Sequence, residues 1–449
     1  MTTSGSTTET FASDFERVRG SLPGAGAPWL AELRHDAMST LRVVGLPTVR
    51  DEDWKYTSVL PALRERLEPV LPTEARTADA SARVLLSRAS GIGSASAVAV
   101  FVDGIFHEGF SRLAPVKGLR VTSLRARLES GPDDLEPWLG RFLPPTVHGF
   151  AALNTAFLDD GAVVEVAAGA AVADPVHVVY LSTSRARPYV THPRNMIVAG
   201  EGSSAVVVEH YIGDSGAAYL TNAATEVSVG RGAVLGHLRV QDEARGAFHV
   251  ARVQVEQSGS SNLRSHAFGF GAALSRAEIS VKLAGEEAEC TMAGLYAMDG
   301  SRHADHHLFI DHAKPRTRSD QLYKGVLEDR SRGVFTGRVV VRPGSQKIRA
   351  MQSNPSLLLG AGAVAETRPQ LEIYADDVAC NHGATIGRLA EDSLFYLLSR
   401  GIEPREARRI LVAGFAAEVV EGVAPEALRA ALTETVGARI GELGRGGAA

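Results

Sequence analysis

Only two cysteines occur in 449 residues. Two thiols cannot build a disulfide framework. Nor can they supply the four thiolates of a self-contained all-cysteine zinc or iron-sulfur site, so most ligands of any such centre must be other residue types or come from a partner. Aromatic residues are scarce at 6%, whereas the 45 glycines, about 10% of the chain, exceed the usual ~7%. Neither sign of charge dominates: 47 Lys+Arg against 52 Asp+Glu leave −5, without the basic stripe expected of a nucleic-acid binder. No apolar run reaches the ~20 residues of a membrane span. The polar opening MTTSGSTTETFASDFE lacks the basic and apolar regions of a signal peptide. A cytoplasmic protein with no nucleic-acid or membrane partner is expected. A chain of this length can bury about three quarters of its unfolded surface without disulfide or metal.

What is present divides the chain into four stretches. Residues 1–95 read as helical. From Pro28, Leu30, Leu33, Ala37 and Leu41 recur at helical spacing, and Gly45-Leu46-Pro47 ends the run. A charged, aromatic connector follows, Arg50-Asp51-Glu52-Asp53-Trp54-Lys55-Tyr56-Thr57. Residues 96–155 read as a small α/β link, with an apolar run from Val98 to Val102 and a turn at Asp103-Gly104. Residues 156–388 are a long series of short apolar strands with no helical run. Turns at Gly169, Gly202, Gly232, Gly259 and Gly285 recur roughly every 30 residues, the length of one β-solenoid coil. A β-sandwich would show similar strands, but this series is about twice the ~100 residues of an immunoglobulin-type sandwich. Residues 389–449 return to helix: Pro404 opens a stripe of Ala407, Leu411, Phe415 and Val419, and Pro425 one of Leu428, Leu432, Val436 and Ile440. Packing of these two helices on each other and over the solenoid end, as a cap, is the expectation.

Nucleotide motifs are missing or broken. No G-x-x-x-x-G-K-[ST] occurs, so the chain is not itself a P-loop ATPase. Gly360-Ala361-Gly362-Ala363-Val364-Ala365 imitates a dinucleotide fingerprint, but Pro369 and the strand-like Leu371-Glu372-Ile373-Tyr374 stand where its helix is needed. Four of the 14 histidines crowd into His303–His312. On a strand His303 and His307 share one face, and His306 and His312 the other, so four ligands do not converge. The densest chemistry is Pro369 to Gly387, where Cys380 and His382 fall on one face of an extended segment. Thiolate and imidazole together suit zinc or iron-sulfur ligation, and an imidazolium would lower the thiol pKa. Asp376 and Asp377, adjacent on a strand, would point apart. A Cys-His hydrolase would need an orienting third group and an oxyanion hole, and no segment identifies either. Cys290, in Glu287-Ala288-Glu289-Cys290-Thr291-Met292, belongs to no motif and reads as a packed residue.

Taken together, Glu52-Asp53-Trp54-Lys55-Tyr56-Thr57, Asn354-Pro355-Ser356-Leu357-Leu358-Leu359, the block Pro369–Gly387 with Cys380-Asn381-His382-Gly383-Ala384-Thr385, and Leu394–Ile402 closely resemble the SufD family of iron-sulfur cluster assembly components. The resemblance implies a mainly β chain: a right-handed parallel β-helix flanked by helical regions. It implies pairing with a SufB-like paralogue through the β-helices, and docking of a SufC-like ABC-type ATPase on the C-terminal helices around Leu394 to Val420. A transient iron-sulfur cluster would be built at the SufB-SufD interface, with His382 as a shared ligand, Cys380 beside it, and sulfur arriving through the complex. The chain would then be a non-catalytic scaffold; pairing with itself in the absence of SufB is a further option. Two other readings stay open: a purely structural subunit without cluster ligands, and a β-helix carbohydrate-active enzyme.

Overall fold

The computed structural model describes residues 3–70 and 79–443. Its N-terminal helices are α1 (Thr3–Val18), α2 (Pro28–Val44) and α3 (Asp79–Leu86). Proline fits the first turn of α2, where its missing N–H costs nothing. Gly45 ends that helix at φ 68°, its N–H bonded to the Leu41 carbonyl at 2.8 Å. Short strands β1 (Glu68–Pro69), β2 (Ala97–Val102), β3 (Ile105–Phe106) and β4 (Leu119–Ser123) follow, then α4 (Leu124–Ser130) and α5 (Gly149–Ala156). Three of these strands join the main sheets directly, β1 in parallel with β7, β2 in parallel with β6 and β4 antiparallel to β5.

The solenoid comprises β5 (Ala162–Val166), β6 (Val176–Ser182), β7 (Tyr189–Thr191), β8 (Arg194–Ala199), β9 (Ser204–Gly213), β10 (Tyr219–Val229) and β11 (Val234–Asp242). It continues through β12 (Phe248–Gln257), β13 (Asn262–Gly269), β14 (Leu274–Leu283), β15 (Glu289–Met298) and β16 (His303–His312). The last strands are β17 (Arg318–Leu327), β18 (Arg332–Val341), β19 (Ile348–Leu358), β20 (Val364–Ile373) and β21 (Val378–Gly387). Even-numbered strands from β8 to β20 form one parallel sheet and odd-numbered strands from β9 to β21 the other, so each coil gives one strand to each face. In the odd-numbered sheet register advances 27 to 31 residues per coil: Ser204 pairs Val234, Val234 pairs Asn262, Asn262 pairs Glu289, and Ser319 pairs Ala350.

The glycine rhythm marks one corner of every coil. Gly202 and Gly232 there are left-handed (φ 63° and 64°), a conformation glycine adopts without a Cβ clash. In later coils Ser260, Glu287, Arg316 and Lys347 take over the left-handed position (φ 55–62°), the first two one or two residues past the glycines at 259 and 285. A hydrogen-bond ladder climbs this corner from Gly202 N–H to Arg231 O, Gly232 to Gly259, Ser260 to Glu286, Arg316 to Gln346 and Lys347 to Asp377.

Inward side chains such as Val207, Leu235, Leu263, Val253, Ile279 and Ile310 fill the solenoid. Helical layers cover both outer faces. Phe11, Phe15, Leu41, Trp54, Phe150 and Phe157 pack over Val190, Leu220, Val250 and Leu274 of the first sheet. The C-terminal helices are α6 (Glu391–Ser399), α7 (Pro404–Glu421) and α8 (Glu426–Glu442). Val412, Ala416, Val419, Leu428, Leu432 and Val436 of α7 and α8 lie on Val208, Leu238, Phe268, Leu295 and Val326 of the second sheet. The tail therefore flanks the solenoid and does not cap its end. A row of large apolar side chains crosses the outer face of five strands and must be covered, whereas outward β21 positions such as Ala379, Asn381 and Gly383 offer little to bury.

Candidate functional site

Sheets that are not capped end in strands with unused backbone groups. Among the described residues strand β20 pairs only β18, and β21 only β19, so the last coil presents the free edges of both sheets side by side. Most of β21 is exposed, and Val364, Ile373, Tyr374 and Ile386 stand out as large apolar groups in water at 40–59% exposure. Long, flat, apolar edges of this kind are strand-pairing surfaces.

Cys380 and His382 lie on this strand, opposite Ala350 and Gln352 of β19. Side chains alternate along a strand, so the two share a side, about 6.6 Å apart along the backbone. Cys380 is half-buried against the lumen core with Val378, while His382 is exposed. Below His382, Gln352 is buried; its amide donates to Gln321 Oε1 at 2.9 Å and reaches the floor at Gly337, where a Cβ would fall 2.1 Å from the Gln352 side chain. Burial pushes the Cys380 thiol upward, partly offset by the Ala350 backbone. An imidazolium-activated thiolate, the expectation from the spacing, is thus not what this environment supplies. Asp376 and Asp377 belong to the exposed corner before β21, not to the strand, and the Gln346 side chain accepts from the Asp377 N–H at 2.8 Å. Beside the pair, a groove of about 810 Å³ runs along the outer face between Met351, Ser353, Asn381 and Gly383 on one side and Glu418 and Val419 of α7 on the other.

The remaining candidates disperse. His303 meets the Thr57 hydroxyl at 3.2 Å and His307 lies 3.1 Å from Asp305, both on the outer face. His306 faces the lumen between Tyr296 and Tyr323, and His312 is buried between Thr317 and Ser319. Among the described residues no three His, Cys, Asp or Glu side chains are grouped to hold a metal ion. Cys290 is buried in the core, and its thiol is pushed far up by burial. Gly360 to Ala363 form a turn leading into β20, with Gly360 against the Asp329 backbone, as the absence of a following helix requires.

The connector motif has a partner that periodicity could not reveal. Arg276, fully buried, stacks 3.7 Å over the Trp54 ring and pairs with Asp305 and Glu278, and the Thr57 hydroxyl donates to Asp305 at 2.5 Å. Trp54 and Thr57 thereby clamp the N-terminal region to the first sheet. Also missed was Lys324, whose ammonium donates to the Phe415 carbonyl at 2.9 Å, lies 2.5 Å from Glu418 and sits 4.7 Å over the Phe415 ring. The only available signal was a lone lysine in an apolar strand.

Comparison with known proteins adds an independent line. Residues 180–415 match the family model described as SUF system FeS cluster assembly, SufBD core domain, and residues 5–178 match the SufBD protein N-terminal region. The iron-sulfur cluster assembly protein SufD of Escherichia coli is 30% identical over 407 residues, covering 90% of this chain and 90% of that protein. An iron-sulfur cluster assembly SufBD family protein of Synechocystis is 28% identical over 428 residues, 91% of each.

Proposed function

The chain belongs to the SufBD family of the iron-sulfur cluster assembly system, and from that premise we propose that it is a scaffold subunit that builds a cluster jointly with a second chain. The observation that carries this reading is the open last coil, two free sheet edges with Cys380 and His382 beside them. A paralogous solenoid of SufB type, adding its own last strands there, would satisfy the backbone groups of both edges and cover the exposed Ile373, Tyr374 and Ile386.

Donor chemistry fits a cargo that must be released. One half-buried thiol and one exposed imidazole are acceptable iron ligands, yet two donors from this chain leave a cluster incomplete until the partner contributes the rest. A cluster divided between two chains opens when they separate, which a buried four-thiolate site does not. The raised thiol pKa means that Cys380 enters as a protonated group and gives up its proton on binding iron. No group in this chain has a catalytic task in this scheme; ATP hydrolysis belongs to a SufC-like partner. Helix α6, with Phe395 73% and Tyr396 57% exposed, is the docking surface in this scheme.

The test is co-expression of the chain with its SufB- and SufC-like partners, comparing wild type with Ile386→Lys and Phe395→Ala. Ile386→Lys should lose the paralogue and keep the ATPase; Phe395→Ala should do the opposite. Retention of the paralogue by Ile386→Lys would place the pairing surface elsewhere.

A further inference from the structure

A solenoid coil is held mainly by its neighbours, and the last coil has a neighbour on one side only. Among the described residues no helix caps that end, so further support for the last coil must come from its flanks. The two last strands differ in what their flanks provide. Strand β20 is half-buried from Ala365 to Glu372, whereas β21 is exposed from Asn381 to Gly387. Over the second sheet the helical layer packs as far as Leu357 of β19, and the outward β21 positions Ala379, Asn381, Gly383 and Thr385 stand in water.

What lies over β20 is the connector between the N-terminal helices. Its anchor is Trp54, 3% exposed, stacked 5.6 Å from Phe150 and covered by Arg276 of β14. Thr57, fully buried, donates to Asp305 of β16. From that anchor the segment reaches toward the open end. Tyr56 sets its ring beside two guanidinium groups, 6.0 Å from Arg332 of β18 and 5.7 Å from Arg368 of β20. Glu52 accepts from Arg368 Nη2 at 2.6 Å, and Arg332 in turn crosses the ladder to Glu366 of β20 at 3.2 Å. One short segment thus touches β14, β16, β18 and β20, consecutive strands of the first sheet up to its free edge. The segment is itself stiff, because the Trp54 N–H donates to the Asp51 carbonyl at 2.8 Å and the Thr57 N–H to the Trp54 carbonyl at 2.9 Å, closing two successive turns.

We propose that Glu52–Thr57 is a strap that holds the last strand of the first sheet in place, giving the open end one pre-ordered edge, β20, and one pliable edge, β21. A lone surface ion pair contributes little; here a ring and a carboxylate converge on one guanidinium, and both are carried by a segment whose Trp54 and Thr57 are buried. An edge already held extended spares an incoming strand part of the ordering cost of pairing. The strap acts within the single chain and stands without the cluster-assembly reading, since no group in it need touch a cluster or a partner.

Hydrogen exchange on the full chain tests it. In the wild type the β20 amides bonded to β18 should exchange more slowly than the β21 amides bonded to β19; equal or reversed rates overturn the proposal. Tyr56→Ala should speed β20 exchange by roughly three- to tenfold while β14 and β21 keep their wild-type rates. Tyr56→Phe, which keeps the ring, should match the wild type. Arg368→Met removes the shared partner of Tyr56 and Glu52 from the strand side and should reproduce the Tyr56→Ala result. Unchanged β20 rates in Tyr56→Ala and Arg368→Met, or an acceleration spread equally from β14 to β21, would show that the connector does not hold the last strand.

Discussion

Acid should loosen the C-terminal helical layer. His177, His210 and His266 lie on the outer face of the second sheet, with His177 stacked 5.1 Å from His210 and His266 beneath Gly422 of the α7–α8 turn. Burial first, with Arg112 and Arg264 adding to it, lowers His177 and His266 to about 4, and burial holds His210 well below its usual value. A histidine whose pKa is depressed in the docked state is neutral there and charged when exposed. Its stabilising contribution is therefore complete above the exposed pKa of about 6.5, and is lost as pH falls from about 6.5 toward 4. At pH 5 the exposed ring is protonated and the docked ring is not, which costs about 2 kcal/mol for each of His177 and His266, or about 4 kcal/mol together. Hydrogen exchange of α7 and α8 amides, corrected for the intrinsic pH effect, should rise by up to roughly a thousandfold between pH 7 and pH 5. The opposite layer buries depressed rings of its own, His192 stacked 5.2 Å from Phe157 and lowered to about 3 and His303 beside Thr57 lowered to about 4, so exchange in α5 should rise over the same range. His266→Leu should remove about half of the response. Unchanged protection of α7 and α8 at pH 5 would show that these rings do not hold the layer down.

Other consequences are as specific. Asp305→Asn leaves the buried Arg276 guanidinium short of a counter-charge and should cost about 3–5 kcal/mol in urea titration, whereas breaking the exposed, solvent-screened Arg409–Glu406 pair should leave the midpoint nearly unchanged. Gly294→Ala puts a methyl into the Tyr323 ring and should lower stability by about 1–3 kcal/mol or more, whereas Gly246→Ala, with open space around it, should be nearly neutral by the same thermal melt. Lys324→Met retains the aliphatic stem but loses a charged hydrogen bond; about 1.5–3 kcal/mol less protection is expected, confined to α7. Alkylation of Cys380 by iodoacetamide should still be climbing with pH beyond the ordinary thiol range, because burial raises its pKa; half-maximal reaction at neutral pH would mean an activating group has been overlooked.

The solenoid was legible because its repeat is carried by single residues. Glycines at 169, 202 and 232 sit at left-handed corners, and the rhythm blurs only where Ser260 and Glu287 take over that conformation. Helix α2 announced itself through Pro28 and Gly45, residues whose backbone preferences act locally. The docking of the C-terminal helices was not legible. Their stripes show that a face is buried, but the covering row Val208, Leu238, Phe268, Leu295 and Val326 is assembled from five coils, each contributing one residue. Cys380 and His382 could be placed on one strand from sequence, whereas the free edge around them and the raised thiol pKa depend on which strand comes last and what stacks beneath it.

The most direct measurement of shared cluster building at the last coil is the anaerobic iron and sulfide content of the chain co-purified with its SufB- and SufC-like partners, compared between wild type and His382→Ala. The expected result is an intact three-protein complex in which the variant has lost most of its iron and sulfide and Cys380→Ser is impaired to a lesser degree. Wild-type iron and sulfide in an intact His382→Ala, Cys380→Ser double variant would contradict it and leave the chain a purely structural member of the complex.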